Sequence, residues 1–231
     1  MNALVALRRG LRRAVLDQPL IWRMVEGAWP YARLLPLPVK RQLDQWVLQR
    51  LPKDEVRAML LRRMPKNALC VEIGVWKGDF SDRILRLSHP RELHLIDPWA
   101  FQPQFPKRMY SGNLASSQHD MDAICESVRR RFAEVNEVRL HRRFSSDLLE
   151  ILQGVPLDWV YIDGNHSKAF VKQDLDLCWR CLRRGGYITG DDYSWQDLDG
   201  SYGVREAVDE FAAEHGLSLE LIGGQYLMRK P

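Results

Sequence analysis

The fold of this chain is decided by two stretches that each end in acid: Trp159-Val160-Tyr161-Ile162-Asp163-Gly164-Asn165-His166 and, one helix later, Tyr187-Ile188-Thr189-Gly190-Asp191-Asp192-Tyr193. Each pattern predicts a buried strand that is followed directly by carboxylates. Open α/β sheets bind their ligands beyond the carboxyl ends of their strands. We therefore expect a functional site where these two strands end.

The sequence from Ala68 onward alternates short apolar runs with helical patterns, which predicts a mostly parallel sheet with helices on both faces. Residues 98–117 hold three prolines and show no period, so we expect a long loop that could serve as a lid. The last two strands are joined at Gly223-Gly224 and predict an antiparallel hairpin. The predicted strands are 68–73, 92–97, 138–141, 157–163, 186–189, 217–222 and 225–228.

Residues 1–66 differ in charge from the rest of the chain. They hold 14 Lys and Arg against 5 Asp and Glu, a net charge of +9, whereas residues 67–231 carry −5. Leucines at positions 4, 7 and 11 share one face of a predicted helix whose other faces are rich in arginine, and a second helix is predicted at 39–51. We predict a basic helical N-terminal extension at 1–66 and one α/β domain at 67–231.

The basic extension has three possible partners. Its leucine stripe could dock on the main domain or on a second copy of the chain, which would give a homo-oligomer. The helix could instead lie on an anionic membrane surface or bind nucleic acid phosphates. We favour docking and expect no nucleic acid partner.

The cellular location is predicted from what the sequence lacks. No run of 18 apolar residues is present, and Arg8 and Arg9 interrupt the first apolar residues before a secretory signal could form. Four cysteines in a chain of this size give no disulfide framework. We therefore expect a cytoplasmic protein.

The first predicted strand leads into the turn Val71-Glu72-Ile73-Gly74-Val75-Trp76-Lys77-Gly78. Its two glycines allow a sharp turn and a close approach of the backbone to a ligand. A dinucleotide site would have three glycines in the pattern G-x-G-x-x-G. Here the spacing is Gly-x-x-x-Gly after an acid, so the dinucleotide fingerprint is absent.

This turn resembles the first motif of class I S-adenosylmethionine-dependent methyltransferases, whose usual form is acid-x-Gly-x-x-x-Gly. The similarity covers about residues 67–231 and implies a Rossmann-like sheet with S-adenosylmethionine as cofactor. In that family an acid after the second strand, here Asp97, accepts hydrogen bonds from the ribose, and the region after the third strand lies along the adenine. The resemblance thus implies a cofactor site formed by Glu72, Gly74, Gly78, Asp97, Ser145, Ser146 and Asp163.

The stretch from Val160 to Tyr193 is most similar to small-molecule O-methyltransferases of the sugar and macrolide-sugar type. These carry Ile-Asp-Gly-x-His after strand four and Asp-Asp after strand five, and they chelate a divalent cation with strand-end aspartates and two substrate hydroxyls. The resemblance implies a Mg²⁺ site at Asp163, Asp191 and Asp192, with Asp163 and His166 as catalytic residues. An alcohol is protonated at neutral pH, so its attack needs a base, a metal or both. We expect His166 to be that base and the acceptor to be a small hydroxylated molecule.

Several of these residues have structural alternatives. Asp163 could cap the next helix, one of Asp191 and Asp192 could brace a loop, and His166 could only make hydrogen bonds. Three adjacent carboxylates without a cation would repel one another, however, which favours a bound metal. Trp99 and Trp195 follow two of the strand-end acids and could stack on the acceptor, although core packing is the alternative.

Two other functions stay open at this point. The first is a different metal-dependent enzyme on the same fold, such as an oxygenase-like relative, which a 2-His-1-carboxylate iron site would indicate. The second is a noncatalytic cofactor-binding module that acts through its basic N-terminal helices. The fold alone does not choose among these functions.

Overall fold

The computed structural model describes residues 52–105 and 108–231. The helices predicted near residues 4–15 and at 39–51 lie outside this part of the chain. In the described ranges, none of the helices has both the length and the apolar character that a membrane crossing requires.

A seven-stranded sheet forms the centre of the described part. The order of the strands across it is β3-β2-β1-β4-β5-β7-β6. Strands β1 to β5 pair in parallel, and β7 is antiparallel to both β5 and β6. This arrangement confirms the predicted Rossmann-like fold with its antiparallel hairpin. The strands are β1 (Leu69–Ile73), β2 (Glu92–Ile96), β3 (Val138–His141), β4 (Leu157–Ile162), β5 (Leu182–Gly190), β6 (Glu220–Ile222) and β7 (Gln225–Arg229).

Helices cover both faces of the sheet, and each face has its own apolar core. The first core contains residues of α1, α2 and α3, and the second contains residues of α4, α5 and α6. Burying one large aliphatic side chain stabilises the fold by about 1.5–3 kcal/mol, so both faces contribute substantially. The helices are α1 (Lys53–Arg63), α2 (Asp79–Ser88), α3 (Gln118–Arg131), α4 (Leu148–Leu152), α5 (Lys168–Cys181) and α6 (Gly203–Glu214).

Strand β1 is buried along its whole length. Its side chains alternate between the two faces of the sheet, but the sequence shows no alternation of polar and apolar residues. Val71 and Ile73 belong to the core on the α5 side, whereas Cys70 belongs to the core on the α1 and α2 side. Side chains alternate between the faces of a strand. Glu72 therefore points to the side of α1 and α2, where no charge would be expected without a role.

Strand β5 begins four residues earlier than the sequence predicts. Helix α5 ends at Cys181, and the strand starts directly at Leu182, which is buried and pairs with Leu157 of β4. The next residues, Arg183 and Arg184, are exposed, so an apolar pattern does not reveal this part of the strand. The backbone nevertheless stays in the sheet, because the N–H of Gly185 donates to the carbonyl oxygen of Lys230.

Helix α1 packs as part of the sheet domain, although the sequence assigns its residues to the N-terminal extension. Its apolar side chains Val56, Leu60 and Leu61 are buried in the first core. The same face carries Lys53 and Arg57 in the first turns of the helix; they lie one helical turn apart and reach the acids that follow β4 and β5. The fold thus brings two cations to the edge of the sheet where the acids were predicted.

Candidate active site

The ends of β1 and β4 touch at the point where the chain order of the sheet reverses. From β1 the chain moves outward to β2 and β3, and it then returns to the other side of β1 as β4. Gly74 has a φ of +88°, and a Cβ built on it would lie 2.0 Å from the carbonyl oxygen of Asp163. Only glycine fits here, because the clash would be with backbone atoms and the φ disfavours other residues.

A cavity of about 480 Å³ opens beyond these strand ends. It is lined by residues that follow β1 and β2 and by residues that follow β3, β4 and β5. Three predicted site residues do not line it: Gly78, Asp191 and Ser146. The predicted site residues that do line it are Glu72, Gly74, Asp97, Ser145, Asp163, His166 and Asp192.

Glu72 is buried at the cavity wall with one oxygen free. The hydroxyl of Ser81 in α2 donates to Oε2 at 2.6 Å, whereas Oε1 has no hydrogen-bond partner among the described residues. Burial raises the pKa of Glu72 to about 8, and the nearby Asp163 carboxylate adds to this rise. Because buried polar atoms are almost always hydrogen-bonded, the bare oxygen marks a place for a donor group of a ligand.

Asp97 holds the turn after β1 in place. Its Oδ2 accepts hydrogen bonds from the backbone N–H groups of Val75 and Trp76, each at 3.0 Å, and its Oδ1 accepts one from Trp99 at 2.8 Å. Burial raises the pKa of Asp97, and these backbone donors oppose the rise. A carboxylate offers about four acceptor positions, so one position on Oδ1 is left for a ligand.

Asp191 is enclosed by donors on every side. Its Oδ2 accepts from the Nε and Nη2 atoms of Arg57, with Nε at 2.9 Å, and lies 2.8 Å from Nζ of Lys53. Its Oδ1 accepts from the side-chain amide of Gln225 in β7 and from the backbone N–H of Asp192. Burial alone would raise the pKa of Asp191, but the charges of Arg57 and Lys53 hold it below its ordinary value. Asp191 therefore has no oxygen left for a metal.

Arg57 links two of the predicted metal ligands. Its Nη2 also donates to Oδ2 of Asp163 at 2.8 Å, while Lys53 binds Oδ1 of Asp192 at 2.9 Å. The three acids are thus compensated by two cations from α1. From the sequence, a metal is the expected compensating cation. Lys53 and Arg57 are not predicted for this role, because a spacing of four residues places both on one helix face but does not show what that face packs against.

His166 lies between the two remaining carboxylates. Its Nε2 is 3.6 Å from Oδ1 of Asp163 and 3.5 Å from Oδ2 of Asp192, the oxygens that the α1 cations do not bind. Its Nδ1 is buried and has no hydrogen-bond partner in the part of the chain that the structure describes. The imidazole ring meets the ring of Trp195 edge to face, with 5.4 Å between the ring centroids. Asp192 has a φ of +56°, a strained conformation of the kind that often marks functional sites.

The geometry brings together a different set of metal-binding atoms from the predicted one. Among the described residues, three possible metal ligands lie within 4.8 Å of one another, one atom each from Asp163, His166 and Asp192. This set contains one histidine, whereas a 2-His-1-carboxylate iron site needs two. These atoms fit a divalent cation, whereas Asp191 is held by α1 and β7. This cluster holds His166 in the place that the prediction gives to Asp191, and the ligand set of Asp163, Asp191 and Asp192 stays a prediction.

The other predicted residues separate into cavity and core positions. Gly78 directly precedes α2 with a φ of +77°, and a Cβ there would lie 2.8 Å from the ring of Phe132. Ser146 is exposed, whereas its neighbour Ser145 lines the cavity. Trp99 is fully buried in the first core, and Trp195 lines the cavity with 39% of its surface exposed. Of the two tryptophans, only Trp195 is in a position to stack on an acceptor.

The loop predicted as a lid contributes to the cavity wall. Arg108 and Tyr110 both line it, and Nη2 of Arg108 lies 2.6 Å from Oδ2 of Asp197. The guanidinium of Arg108 also lies over the ring of Trp195, 5.4 Å from its centroid. Together these contacts join the loop after β2 to the loop after β5 across the mouth of the cavity.

Known proteins resemble this chain in the same region. The family described as "Methyltransferase domain" matches residues 71–193, which include every strand end described above from β1 to β5. An uncharacterised protein of Acanthamoeba polyphaga mimivirus is 26% identical over 148 residues, which are 62% of this chain. The chain spans 59% of the length of that relative.

Solved structures share the fold at low sequence identity. The O-methyltransferase NovP has a TM-score of 0.54 at 21% identity and covers 76% of this chain and 79% of its own. The O-methyltransferase TomG from Streptomyces achromogenes, in complex with S-adenosylmethionine, has a TM-score of 0.53 at 18% identity, covering 78% and 82%. An O-methyltransferase from Bacillus cereus, in complex with S-adenosylhomocysteine, has a TM-score of 0.56 at 16% identity and covers 97% of both chains.

The family match covers more than half of the chain and includes the acid-x-Gly-x-x-x-Gly turn, most of the residues that line the cavity and both acidic strand ends. The sheet order, with β1 between β2 and β4 and an antiparallel β7, agrees with the resemblance found in the sequence. The chain belongs to the methyltransferase-domain family, within class I of the S-adenosylmethionine-dependent methyltransferases.

Proposed function

We propose that this chain transfers a methyl group from S-adenosylmethionine to a hydroxyl oxygen of a small acceptor. The observation that carries this proposal is a single cavity with two kinds of wall. One wall holds the Gly74 turn and the bare oxygen of Glu72, and the other holds His166 with two carboxylates. A cofactor turn and a candidate base thus share one space, as a transfer between two bound molecules requires.

The first wall fits the cofactor in charge and in shape. The free Oε1 of Glu72 is suited to the ammonium group of the cofactor, and Asp97 keeps one acceptor position for a ribose hydroxyl. The missing side chain of Gly74 lets the turn after β1 pack directly against the Asp163 backbone, and the backbone of Gly74 itself lines the cavity. Bound there, S-adenosylmethionine supplies a sulfonium methyl group that an oxygen nucleophile can attack.

The second wall supplies the residue that would remove the acceptor proton. In our proposal His166 accepts the hydroxyl proton at Nε2, the nitrogen that lies beside Asp163 and Asp192. The positive charge that then forms on the ring is stabilised by these carboxylates. Arg57 and Lys53 bind the far oxygens of the same two acids and so hold them in position.

The rim of the cavity supports an acceptor with a flat or ring-shaped part. Trp195, Phe170 and Phe144 line the cavity, and each exposes between 39% and 51% of its surface. Such exposed rings offer apolar faces on which aromatic or sugar rings stack. NovP and TomG are O-methyltransferases, and TomG is involved in tomaymycin synthesis, which is consistent with a natural-product acceptor.

Metal-assisted transfer is the second form of the proposal, and the cluster of Asp163, His166 and Asp192 favours it. A divalent cation there would make a bound hydroxyl more acidic. Two carboxylates and one imidazole accept Mn²⁺ or other transition metals as well as Mg²⁺. The two forms exclude each other in one respect, because a histidine that binds a metal through Nε2 cannot also take a proton there.

The cofactor and the base are tested together. S-adenosylmethionine at millimolar concentration should raise the melting temperature, since a ligand of the native state stabilises it. With a panel of phenolic and sugar acceptors and labelled cofactor, His166→Ala should lower turnover by about 10²- to 10⁴-fold and keep the thermal shift. His119→Ala, an exposed histidine on α3, is the control and should change neither value. Absence of any thermal shift in the wild type would contradict the proposal.

The metal is tested on protein that has been treated with a chelator. If the second form holds, Mg²⁺ or Mn²⁺ raises both the melting temperature and the rate of product formation, and Asp192→Asn abolishes both responses. If neither metal changes either quantity while methyl transfer proceeds, the metal-assisted form is wrong and the base form stands.

A further inference from the structure

The mouth of the cavity is surrounded by apolar side chains that are exposed to solvent. Met109, Phe144, Phe170 and Trp195 all line the cavity, and they are four of the seven large hydrophobic residues that are exposed in the described part of the chain. They follow β2, β3, β4 and β5 in turn, so the connection after each of these strands supplies one of them. We call these four residues the collar.

Two contacts join the collar through the loop that follows β2. The ring of Phe170 meets the ring of Phe105 edge to face, with 5.7 Å between the centroids. The guanidinium of Arg108, the neighbour of Met109 in the chain, lies over the ring of Trp195. The loop after β2 thus contacts both α5 and the segment after β5, so Phe170, Met109 and Trp195 belong to one surface.

The segment after β3 brings Phe144 to the same opening. Phe144 directly precedes Ser145, whose hydroxyl interacts with the carboxylate of Asp174. Asp174 is a buried acid of the cavity wall and lies one helical turn after Phe170, on the same face of α5. The collar therefore surrounds a single opening, and each of its side chains belongs to a residue that is 39% to 51% exposed.

Cations next to the collar in the chain are already compensated by acids of the protein. Three cations within two residues of collar positions form close ion pairs. The pairs are Arg108 with Asp197, Arg143 with Glu150 and Lys168 with Glu210, each with a nitrogen–oxygen distance between 2.6 and 2.7 Å. An anionic bilayer attracts surfaces whose basic side chains are available for its lipids. The surroundings of the collar thus suit an uncharged apolar partner better than an anionic surface.

A contiguous apolar surface of this kind marks a binding site, because apolar groups are rarely left in water together. A protein or a second copy of the chain seated on the collar would close the cavity that the collar surrounds. A molecule that already occupies the cavity covers the collar without this conflict, provided that part of it extends out through the mouth. The position of the collar therefore favours an extension of the acceptor itself.

We propose that the acceptor is amphipathic, with a hydroxylated head that enters the cavity and an apolar chain that lies on the collar. This inference rests on the proposed function and names the class of its acceptor. The head reaches His166, whose ring contacts Trp195 of the collar, so the reacting hydroxyl and the start of the chain are close together. The chain contributes affinity and leaves the transfer step to the residues inside the cavity.

The test measures how affinity depends on chain length. The probes are the methyl, butyl and octyl esters of gallic acid and the methyl, butyl and octyl β-glucosides, titrated calorimetrically into the full chain saturated with S-adenosylhomocysteine. In at least one series, the octyl member should bind at least about tenfold more tightly than the methyl member, since each methylene group removed from water adds up to about fourfold in affinity.

A collar variant and a control show where the chain binds. Met109→Ser combined with Phe170→Ser should bring the octyl affinity to within about threefold of the methyl affinity, because most of the apolar contact is lost. The affinity for S-adenosylhomocysteine should not change, since both side chains are exposed. Val155→Ser is the control. Val155 is also exposed, but it lies just before β4, at the opposite edge of the sheet, so this variant should keep the dependence on chain length.

Each outcome decides the question. Equal affinities along both series, or no binding by any member, overturn the inference. A dependence on chain length that the double variant retains also overturns it, because the chain then binds elsewhere. Binding of the wild type to phosphatidylcholine vesicles that the double variant abolishes would assign the collar to a bilayer and overturn a free acceptor. Failure of S-adenosylhomocysteine to bind contradicts the proposed function instead, and it is seen before any probe is added.

Discussion

The two ends of the cavity differ in how far along the chain their polar contacts reach. At the Glu72 end, Ser81 lies 9 residues from the acid that it binds, and Val75 lies 22 residues from Asp97. At the Asp191 end, Arg57 lies 134 residues from Asp191 and 106 from Asp163. The first end is built within one β-α-β segment, whereas the second depends on the docking of α1 against distant strands.

The two ends also differ in how many hydrogen-bond partners their buried acids have. Glu72 has a hydroxyl partner and, among the described residues, one oxygen without a partner, so this acid can still bind a ligand. Asp191 is surrounded by charged and amide donors, so it is complete without one. The free acid is suited to binding, and the satisfied acid is suited to holding the site together.

The largest effect is expected where the two ends meet, at Gly74. Gly74→Ala places a Cβ within 2.0 Å of the Asp163 carbonyl oxygen, and we expect it to lower the free energy of unfolding by more than about 4 kcal/mol and to abolish the cofactor-induced thermal shift. Gly154→Ala is the matched control, because Gly154 has a φ of +84° with nothing within 4 Å. Urea denaturation measures the free energy of unfolding of both variants. Equal losses would mean that backbone strain, not the contact of the strand ends, sets the requirement for glycine.

The second prediction concerns the ion pairs that Arg57 makes at the Asp191 end and their contribution to the free energy of unfolding. Arg57→Ala leaves Asp191 buried with an incomplete set of partners, and we expect a loss of about 3–4 kcal/mol in the free energy of unfolding. Arg63→Ala on the same helix breaks an ion pair whose side chains are 46% and 51% exposed, and it should cost less than about 1 kcal/mol. In the double variant with Asp191→Ala, the loss should be smaller than the sum of the single losses. Additive losses would show that Arg57 and Asp191 are not coupled.

In the protein without cofactor, Glu72 should make the free energy of unfolding depend on pH. Burial raises the folded-state pKa of Glu72 from an unfolded value of 4.5 to about 8, so the folded state binds this proton more tightly. Stability is then unaffected below pH 4.5, decreases as pH rises, and levels off above pH 8, with a loss of roughly 3 kcal/mol between pH 5 and pH 8. Glu72→Gln should remove this decrease. Comparing the wild type with Glu72→Gln separates the titration of Glu72 from that of its neighbours. The charges of Asp163, Asp97 and Arg57 also act on the pKa of Glu72.

The smallest effect is expected at Lys53. Its side chain is 52% exposed, while that of Arg57 is 17% exposed, so water competes for its charge. We expect Lys53→Met to cost about 1 kcal/mol or less in the free energy of unfolding. A loss as large as that of Arg57→Ala would mean that both cations of α1 are needed to compensate the acids.

The sequence predicts the parts of the molecule that depend on local pattern. The succession of strands and helices, the closing hairpin and the turn at Gly74 follow from apolar runs and glycine spacing, and the structure has them. Arg57 was missed because its role exists only once α1 packs on the sheet. Asp174 was missed although a signal was present. It occupies the core-facing position three residues after Val171 and one before Leu175, where an apolar side chain is the rule.

The contacts of Asp191 also have a consequence for the order of folding. Its carboxylate joins the first described helix, through Arg57, to the last strand, through Gln225. Contacts over such separations form slowly, because the chain must close a long loop before it gains their energy. The side-chain hydrogen bonds of Glu72 and Asp97 lie within residues 69–99, whereas those of Asp191 join the first and the last described elements of the domain. Asp191 thus makes the side of the cavity that holds Asp163 and His166 depend on completion of the whole domain.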